Sequence, residues 1–142
     1  MNTLLSQEMQ NTLAEAAAEA KRHSYSPYSH FKVGAAVLTE DGKIYTGTNI
    51  ENASYGLTVC AERNAIFKAV GDGYRKLAAL AVCTDPIPGD GLGTPCGACR
   101  QVMTEFMEQD APLLVVSIKA DGQLSIYAKQ LKDFMPYPFN KL

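Results

Sequence analysis

From its first residues the chain alternates between two patterns. In one, apolar positions recur every three to four residues; in the other, the stretch is apolar almost throughout. Met9, Leu13, Ala16, Ala17 and Ala20 form a stripe at helical spacing with Glu15 and Glu19 off it, which predicts an amphipathic helix from about Ser6 to His23. Its alanines make it slender enough to lie close on a sheet. Ser24-Tyr25-Ser26-Pro27-Tyr28-Ser29 is a loop, because the proline restricts both its own φ and that of Ser26, and the serines favour turns. The run from Phe31 to Thr39 is too apolar for a strand with one wet face and is expected at the centre of a sheet. Glu40-Asp41-Gly42-Lys43 places Asp-Gly at a hairpin turn, after which Lys43 to Thr48 returns antiparallel.

The polar loop Asn49 to Gly56 leads into a second helix from about Cys60 to Val70, which buries Ala61, Ala65, Ile66 and Ala69 and is ended by Gly71-Asp72-Gly73. Leu77 to Thr84 is a buried strand and Asp85 to Gly91 a long loop. Gly97 to Gln109 forms a third helix with Val102, Met103, Phe106 and Met107 inward. Leu113 to Ile118, a turn at Ala120-Asp121-Gly122 and a short strand from Leu124 to Tyr127 follow. The tail from Asp133 to Leu142 is too apolar to be idle. This order, α-β-β-α-β-α-β-β, predicts an α/β fold with a sheet covered by helices.

With 142 residues, no repeat and no linker, the chain is expected to fold as a single domain spanning 1–142. A net charge of −2 argues against a nucleic acid as partner. Met1 to Gln10 lacks a basic start followed by an apolar core, and no apolar run is long enough to span a membrane, so neither a signal peptide nor a membrane partner is expected. Four cysteines without a secretory signal read as reduced thiols, which points to the cytoplasm.

The chemistry is concentrated in Cys60-Ala61-Glu62-Arg63 and Thr94-Pro95-Cys96-Gly97-Ala98-Cys99-Arg100. Cys96 and Cys99, three apart at a helix start, can aim both sulfurs at one point, and Pro95 suits a first turn that has no amide bond to lose. Cys60 opens the other helix, and two helix N-termini favour thiolate over thiol. Three thiolates fill three corners of a zinc tetrahedron and leave the fourth for water, which separates a catalytic site from a structural one. Arg63, with Arg100 as a second candidate, can offset the excess negative charge by donating to the sulfurs. Glu62 beside the metal suits proton transfer, so the set fits attack of hydroxide on an electrophilic carbon followed by protonation of a leaving group. The same residues also admit a redox pair at Cys96 and Cys99, or a closed zinc site with Cys83 as fourth ligand, although Cys83 sits mid-strand and reads as core.

Cys-x-Glu followed by Pro-Cys-x-x-Cys is the all-cysteine form of the zinc deaminase signature. Around it the chain resembles the small, homotetrameric cytidine deaminases over nearly its whole length. The stretches that carry the likeness are Tyr25 to Ser29, Phe31 to Ala36, Gly47 to Tyr55, Cys60 to Arg63 and Pro95 to Gln101. The resemblance implies a three-layer α/β/α sandwich around a mixed five-stranded sheet. It implies one Zn2+ per chain on Cys60, Cys96 and Cys99, and hydrolysis of cytidine and deoxycytidine to uridine and deoxyuridine with release of ammonia, as in pyrimidine salvage, with Glu62 as proton shuttle. It further implies that Phe31 packs on the pyrimidine, that Asn49 and Glu51 bind the ribose and that the backbone at Ala61 holds the base. Tyr55 and Phe139 are implied to reach a neighbouring subunit's pocket in a homotetramer with composite active sites. The tail departs from the pattern, since Tyr137 and Pro138 stand where smaller residues are expected.

Two rivals keep part of this picture. One is a deaminase of a nucleoside-like antibiotic or of a base in RNA; the other is a non-catalytic, zinc-stabilised binding module. The lack of a basic groove interleaved with aromatics argues against RNA. Asn49 with Glu51 offers a donor and an acceptor to a pair of sugar hydroxyls, which favours a free nucleoside.

Overall fold

Helix α1 (Gln7–Lys21) starts where Ser6 Oγ accepts the Met9 N–H at 3.1 Å, one of the first-turn donors that a helix leaves without a backbone partner. The computed structural model describes residues 5–89 and 91–140. The first four residues of the N-terminal stretch, Asp90 of the long loop and the last two residues of the tail lie outside them. The buried stripe of α1 is Leu13, Ala14, Ala17 and Ala20, so Ala14 takes the central place expected of Ala16.

Five strands form one sheet: β1 (Val33–Thr39), β2 (Ile44–Thr48), β3 (Leu77–Thr84), β4 (Pro112–Ile118) and β5 (Leu124–Gln130), in the order β2-β1-β3-β4-β5. Only β3 and β4 run parallel; the other neighbours are antiparallel, so the sheet is mixed. Helices α2 (Ala61–Gly71) and α3 (Gly97–Phe106) cover one face over Ala35, Val37, Leu80, Val82 and Val115, while α1 covers the other over Ala36, Leu38, Ala79, Ala81 and Leu114. Because β1 and β3 are buried on both faces, neither can alternate apolar and polar residues, and that is why both read as continuous apolar runs. The expected three-layer α/β/α sandwich is the architecture found.

Two glycines fix how closely the helices lie on the sheet. A Cβ on Gly34 of β1 would stand 2.2 Å from the Ala17 carbonyl oxygen of α1, and one on Gly47 of β2 would stand 2.4 Å from the Ala65 nitrogen of α2. Any side chain there would push a helix off the sheet.

Several boundaries differ from expectation. β1 begins at Val33 rather than Phe31, because the backbone before it is bonded by side chains instead of a strand partner. α3 stops at Phe106 rather than Gln109, since Met107 turns extended (φ −129°) and pairs with Leu77. β5 runs past Tyr127 to Gln130 and leads straight into a short helix, α4 (Leu131–Phe134), which the sequence pattern did not indicate. No helix among the described residues is long and apolar enough to cross a membrane.

Candidate active site

Cys60 is the N-cap of α2, Cys96 the N-cap of α3 and Cys99 lies in the first turn of α3, so two helix N-termini converge on one cluster of sulfurs. The Sγ atoms of Cys60 and Cys96 are 3.9 Å apart and those of Cys96 and Cys99 3.5 Å apart. All three lie within 4.8 Å of one another. Zinc–sulfur bonds of about 2.3 Å at tetrahedral angles put sulfurs about 3.8 Å apart, so this donor set fits zinc. Cys96 Sγ also accepts the Cys99 N–H at 3.4 Å.

Donation from the Cys99 thiol pulls Cys60 down to about 5, with Arg63 adding to it, while that same donation and burial hold the Cys99 thiol up. Arg63 Nη2 donates to Cys60 Sγ at 3.4 Å. Its Nε is buried and makes no hydrogen bond. Bonded to thiolate, the guanidinium is held charged. Arg100 goes elsewhere: it donates to the carbonyls of Pro95 (2.8 Å) and Phe134 (3.1 Å) and to Thr94 Oγ1 (3.2 Å). It ties the Pro-Cys stretch to α4 and is not a sulfur donor. Cys83 lies on the opposite face of the sheet, under α1, and cannot join the cluster.

Glu62, in the first turn of α2, is only 4% exposed. Burial pushes its carboxyl up to about 7, and the neighbouring Cys60 charge works in the same direction. A carboxyl poised near neutrality can both take and give a proton.

The cluster opens into a cavity of about 320 Å³ whose lining includes Phe31, Asn49, Glu51, Cys60, Ala61, Glu62 and Cys96. Sites that are distant in sequence are therefore brought to one pocket. Tyr55 lies outside it, in an adjoining depression that shares Ser29, Glu51 and Thr58 with it. There it makes an edge contact with Tyr28 at 5.7 Å while 74% exposed. Phe139 lines neither; its carbonyl accepts from Gln101 Nε2 at 2.6 Å and the residue is 65% exposed.

The polar pair is already engaged within the chain. Asn49 Oδ1 accepts from Ser24 Oγ at 2.5 Å and from the Val33 N–H at 2.9 Å, and Nδ2 donates to the Phe31 carbonyl at 2.8 Å. One N–H of that amide is left for a ligand. Glu51 accepts the N–H groups of Tyr28 (2.9 Å) and Ser29 (3.1 Å) on Oε1 and the Ser29 hydroxyl on Oε2. These bonds, led by the serine hydroxyl, hold its carboxyl below the ordinary range. Sequence reasoning missed Ile87, Leu92 and Gly93, which also line the pocket, and Asp85, which holds the Lys32 backbone next to Phe31. Only the apolar residues in a loop otherwise rich in glycine and proline signalled that the loop packs on something.

Residues 7–114 match the family model described as the cytidine and deoxycytidylate deaminase zinc-binding region. A cytidine deaminase of Sporosarcina psychrophila is 48% identical over 124 residues, 87% of this chain and 88% of the relative. A probable cytidine deaminase of Dictyostelium discoideum is 46% identical over 82% of this chain and 76% of its own length. The crystal structure of the Burkholderia pseudomallei cytidine deaminase superposes with a TM-score of 0.82 at 41% identity, covering 95% of this chain and all of that one. The chain thus belongs to the zinc-dependent cytidine and deoxycytidylate deaminase family, and its fold is theirs.

Proposed function

We propose that this chain deaminates cytidine and deoxycytidine hydrolytically, taking up water and releasing ammonia, and that it does so on the free nucleoside. The observation that carries the reading is Glu62, buried beside three sulfurs at zinc spacing and facing a cavity of nucleoside dimensions. Cys60, Cys96 and Cys99 hold one zinc. When bound, the metal supplies an activated water and positive charge to offset the charge that develops at the attacked carbon. Glu62, poised near neutrality, takes the two protons of the attacking water in turn, delivering the first to ring N3 and the second to the 4-amino group, so that the C4–N bond breaks and the nitrogen leaves as ammonia. Its burial keeps that proton from being lost to bulk water. Arg63 holds Cys60 and draws charge from the sulfurs. Phe31 offers an apolar face to the base, Ala61 its backbone, Asn49 its remaining N–H to the sugar, and Glu51 the free lone pairs of its carboxylate.

The family also includes enzymes of the nucleotide deoxycytidylate, and that is the alternative reading. Among the described residues the pocket lining holds two carboxylates, Glu51 and Glu62, and neither lysine nor arginine. A phosphate would meet negative charge with no fork to bind it, which favours the nucleoside. The assembly we infer is a homotetramer with composite sites, in which Tyr55 and Phe139 complete a neighbour's pocket. The exposed Tyr55, Leu57, Tyr137 and Phe139 support it, since a monomer rarely leaves so much aromatic and aliphatic surface wet. The setting we infer is pyrimidine salvage in the cytoplasm.

Ring deamination changes ultraviolet absorbance, so one assay tests the reading. Cytidine and deoxycytidine are expected to turn over, with deoxycytidine 5′-monophosphate at least about tenfold poorer in kcat/KM and adenosine inert. Preference for the monophosphate would overturn the nucleoside assignment, and inertness of all four with zinc bound would overturn the activity.

A further inference from the structure

Phe31 precedes β1 and gains nothing from the sheet ladder, yet the backbone from Phe31 to Val33 is paired at every polar group. The Phe31 N–H donates to Ser29 Oγ (3.0 Å) and its carbonyl accepts from Asn49 Nδ2 (2.8 Å). The Val33 N–H goes to Asn49 Oδ1 (2.9 Å), and the Asn49 N–H returns to the Val33 carbonyl (3.2 Å). Both groups of Lys32 go to one residue: its N–H donates to Asp85 Oδ2 (2.7 Å) and its carbonyl accepts the Asp85 N–H (2.9 Å). The other carboxylate oxygen, Asp85 Oδ1, is paired with Lys21 Nζ at 2.6 Å, with side-chain exposures of only 27% and 14%. A partly shielded pair of this kind is screened less than one at the open surface.

Asp85 therefore ties together the two segments that carry apolar residues of the pocket. On one side Lys32 follows Phe31 directly; on the other Pro86 leads into Ile87, and the lining includes both Phe31 and Ile87. The second wall is packed against its own base, since a Cβ on Gly93 would stand 2.2 Å from Thr84 Oγ1 and one on Gly91 2.6 Å from Ile87 Cγ2. We propose that Asp85 is a positioning residue for nucleoside binding: anchored on Lys21 at the end of α1, its carboxylate sets the separation of Phe31 from the Ile87 wall. Asp85 does not touch the cavity. The role rests on the pocket being the nucleoside site, and it concerns how tightly the base is gripped rather than the proton transfers at Glu62.

Two variants test it, each assayed as full-length, zinc-loaded protein with cytidine. In Asp85→Asn one carboxylate oxygen becomes an NH2 group, so the side chain must either face Lys21 with a donor or lose the Lys32 N–H. In Lys21→Met the Lys32 bonds stay and only the anchor goes. Loss of binding shared by ground state and transition state raises KM and leaves kcat. Asp85→Asn is expected to raise KM about tenfold, the equivalent of one charge-assisted hydrogen bond, with kcat within about twofold and one zinc per chain retained. Lys21→Met is expected to raise KM by a smaller factor, about threefold. A residue that served stability alone would instead lower the melting temperature and the active fraction, dropping apparent kcat at constant KM; that result in both variants would overturn the proposal, as would KM values unchanged from wild type. Should Asp85→Asn fail to fold, the KM of Lys21→Met decides. If wild-type protein does not turn over cytidine, it is the reading of the pocket that has failed and not the positioning role of Asp85.

Discussion

The sulfurs of Cys60, Cys96 and Cys99 are placed by two helix starts, whereas the pocket wall at Phe31 is placed by side chains reaching in from three other segments. At the first region the backbone does the positioning. Once α2 and α3 form, the two N-caps and the first turn of α3 bring the sulfurs within 4.8 Å, and the helix ends favour thiolate. At the second region no regular element is in charge, and Ser29, Asn49 and Asp85 substitute for a neighbouring strand. The two regions therefore differ in tolerance. A ligand on a helix start has one essential atom and a robust frame, while a wall held by side-chain bonds shifts by degrees when any one of them is lost.

The largest effect is expected at the sulfurs. Cys99→Ala removes a fully buried ligand. It is expected to abolish detectable deamination and to leave well under one zinc per chain, read by metal analysis after gel filtration. A variant that kept zinc and activity would remove Cys99 from the ligand set. Glu62→Gln should separate chemistry from frame: zinc content stays, and kcat falls by about 10³-fold or more, since general acid–base catalysis alone contributes about 10² to 10⁴ and two proton transfers are proposed for this carboxyl. Turnover near wild type would dismiss the shuttle.

The first region was legible in the sequence because its geometry is local. Two cysteines three apart at a helix start, a proline ahead of them and a glutamate two residues after a third cysteine each report on a single turn of chain. The sheet was legible for a similar reason, as burial on both faces leaves β1 and β3 without polar positions before their terminal threonines. The wall was not, because its bonds are long-range: Asp85 reaches Lys32 across 53 residues and read only as the first residue of a loop. The family resemblance assigns Asn49 to the sugar, and nothing in the sequence shows that most of its amide is spent on the chain itself. Arg100 beside Cys99 reads in the sequence as a second candidate, behind Arg63, for reaching the sulfurs. What decides between them is direction around the helix and the carbonyls of Pro95 and Phe134, and the second of these depends on α4, which had no signature.

Asn49→Ala sharpens the contrast at intermediate size. It deletes two bonds to the Phe31–Val33 backbone and the one from Ser24, leaving buried groups without partners. At about 1 kcal/mol or more for each orphaned group, the variant is expected to lose about 2–4 kcal/mol of stability in a denaturant melt. It should also raise KM more than Asp85→Asn does, because it moves the wall and removes the last free N–H together. A rise in KM with unchanged stability would mean that Asn49 acts on the sugar alone.

The smallest effect is expected at Cys83, and it tests how completely the two faces of the sheet are separated. Like Cys99 it is fully buried, but it packs among Ala36, Ala81 and Val116 beneath α1. Burial raises its thiol, and its sulfur is not among the three that lie within 4.8 Å of one another. Cys83→Ala leaves a void no larger than one sulfur, for which about 1 kcal/mol of stability is expected. Because the sheet lies between it and the cluster, zinc should remain at one per chain and kcat/KM should stay within about twofold of wild type. A variant that lost zinc would show that the two faces are mechanically coupled through β3, and that the frame around the sulfurs is less robust than two helix starts alone would make it.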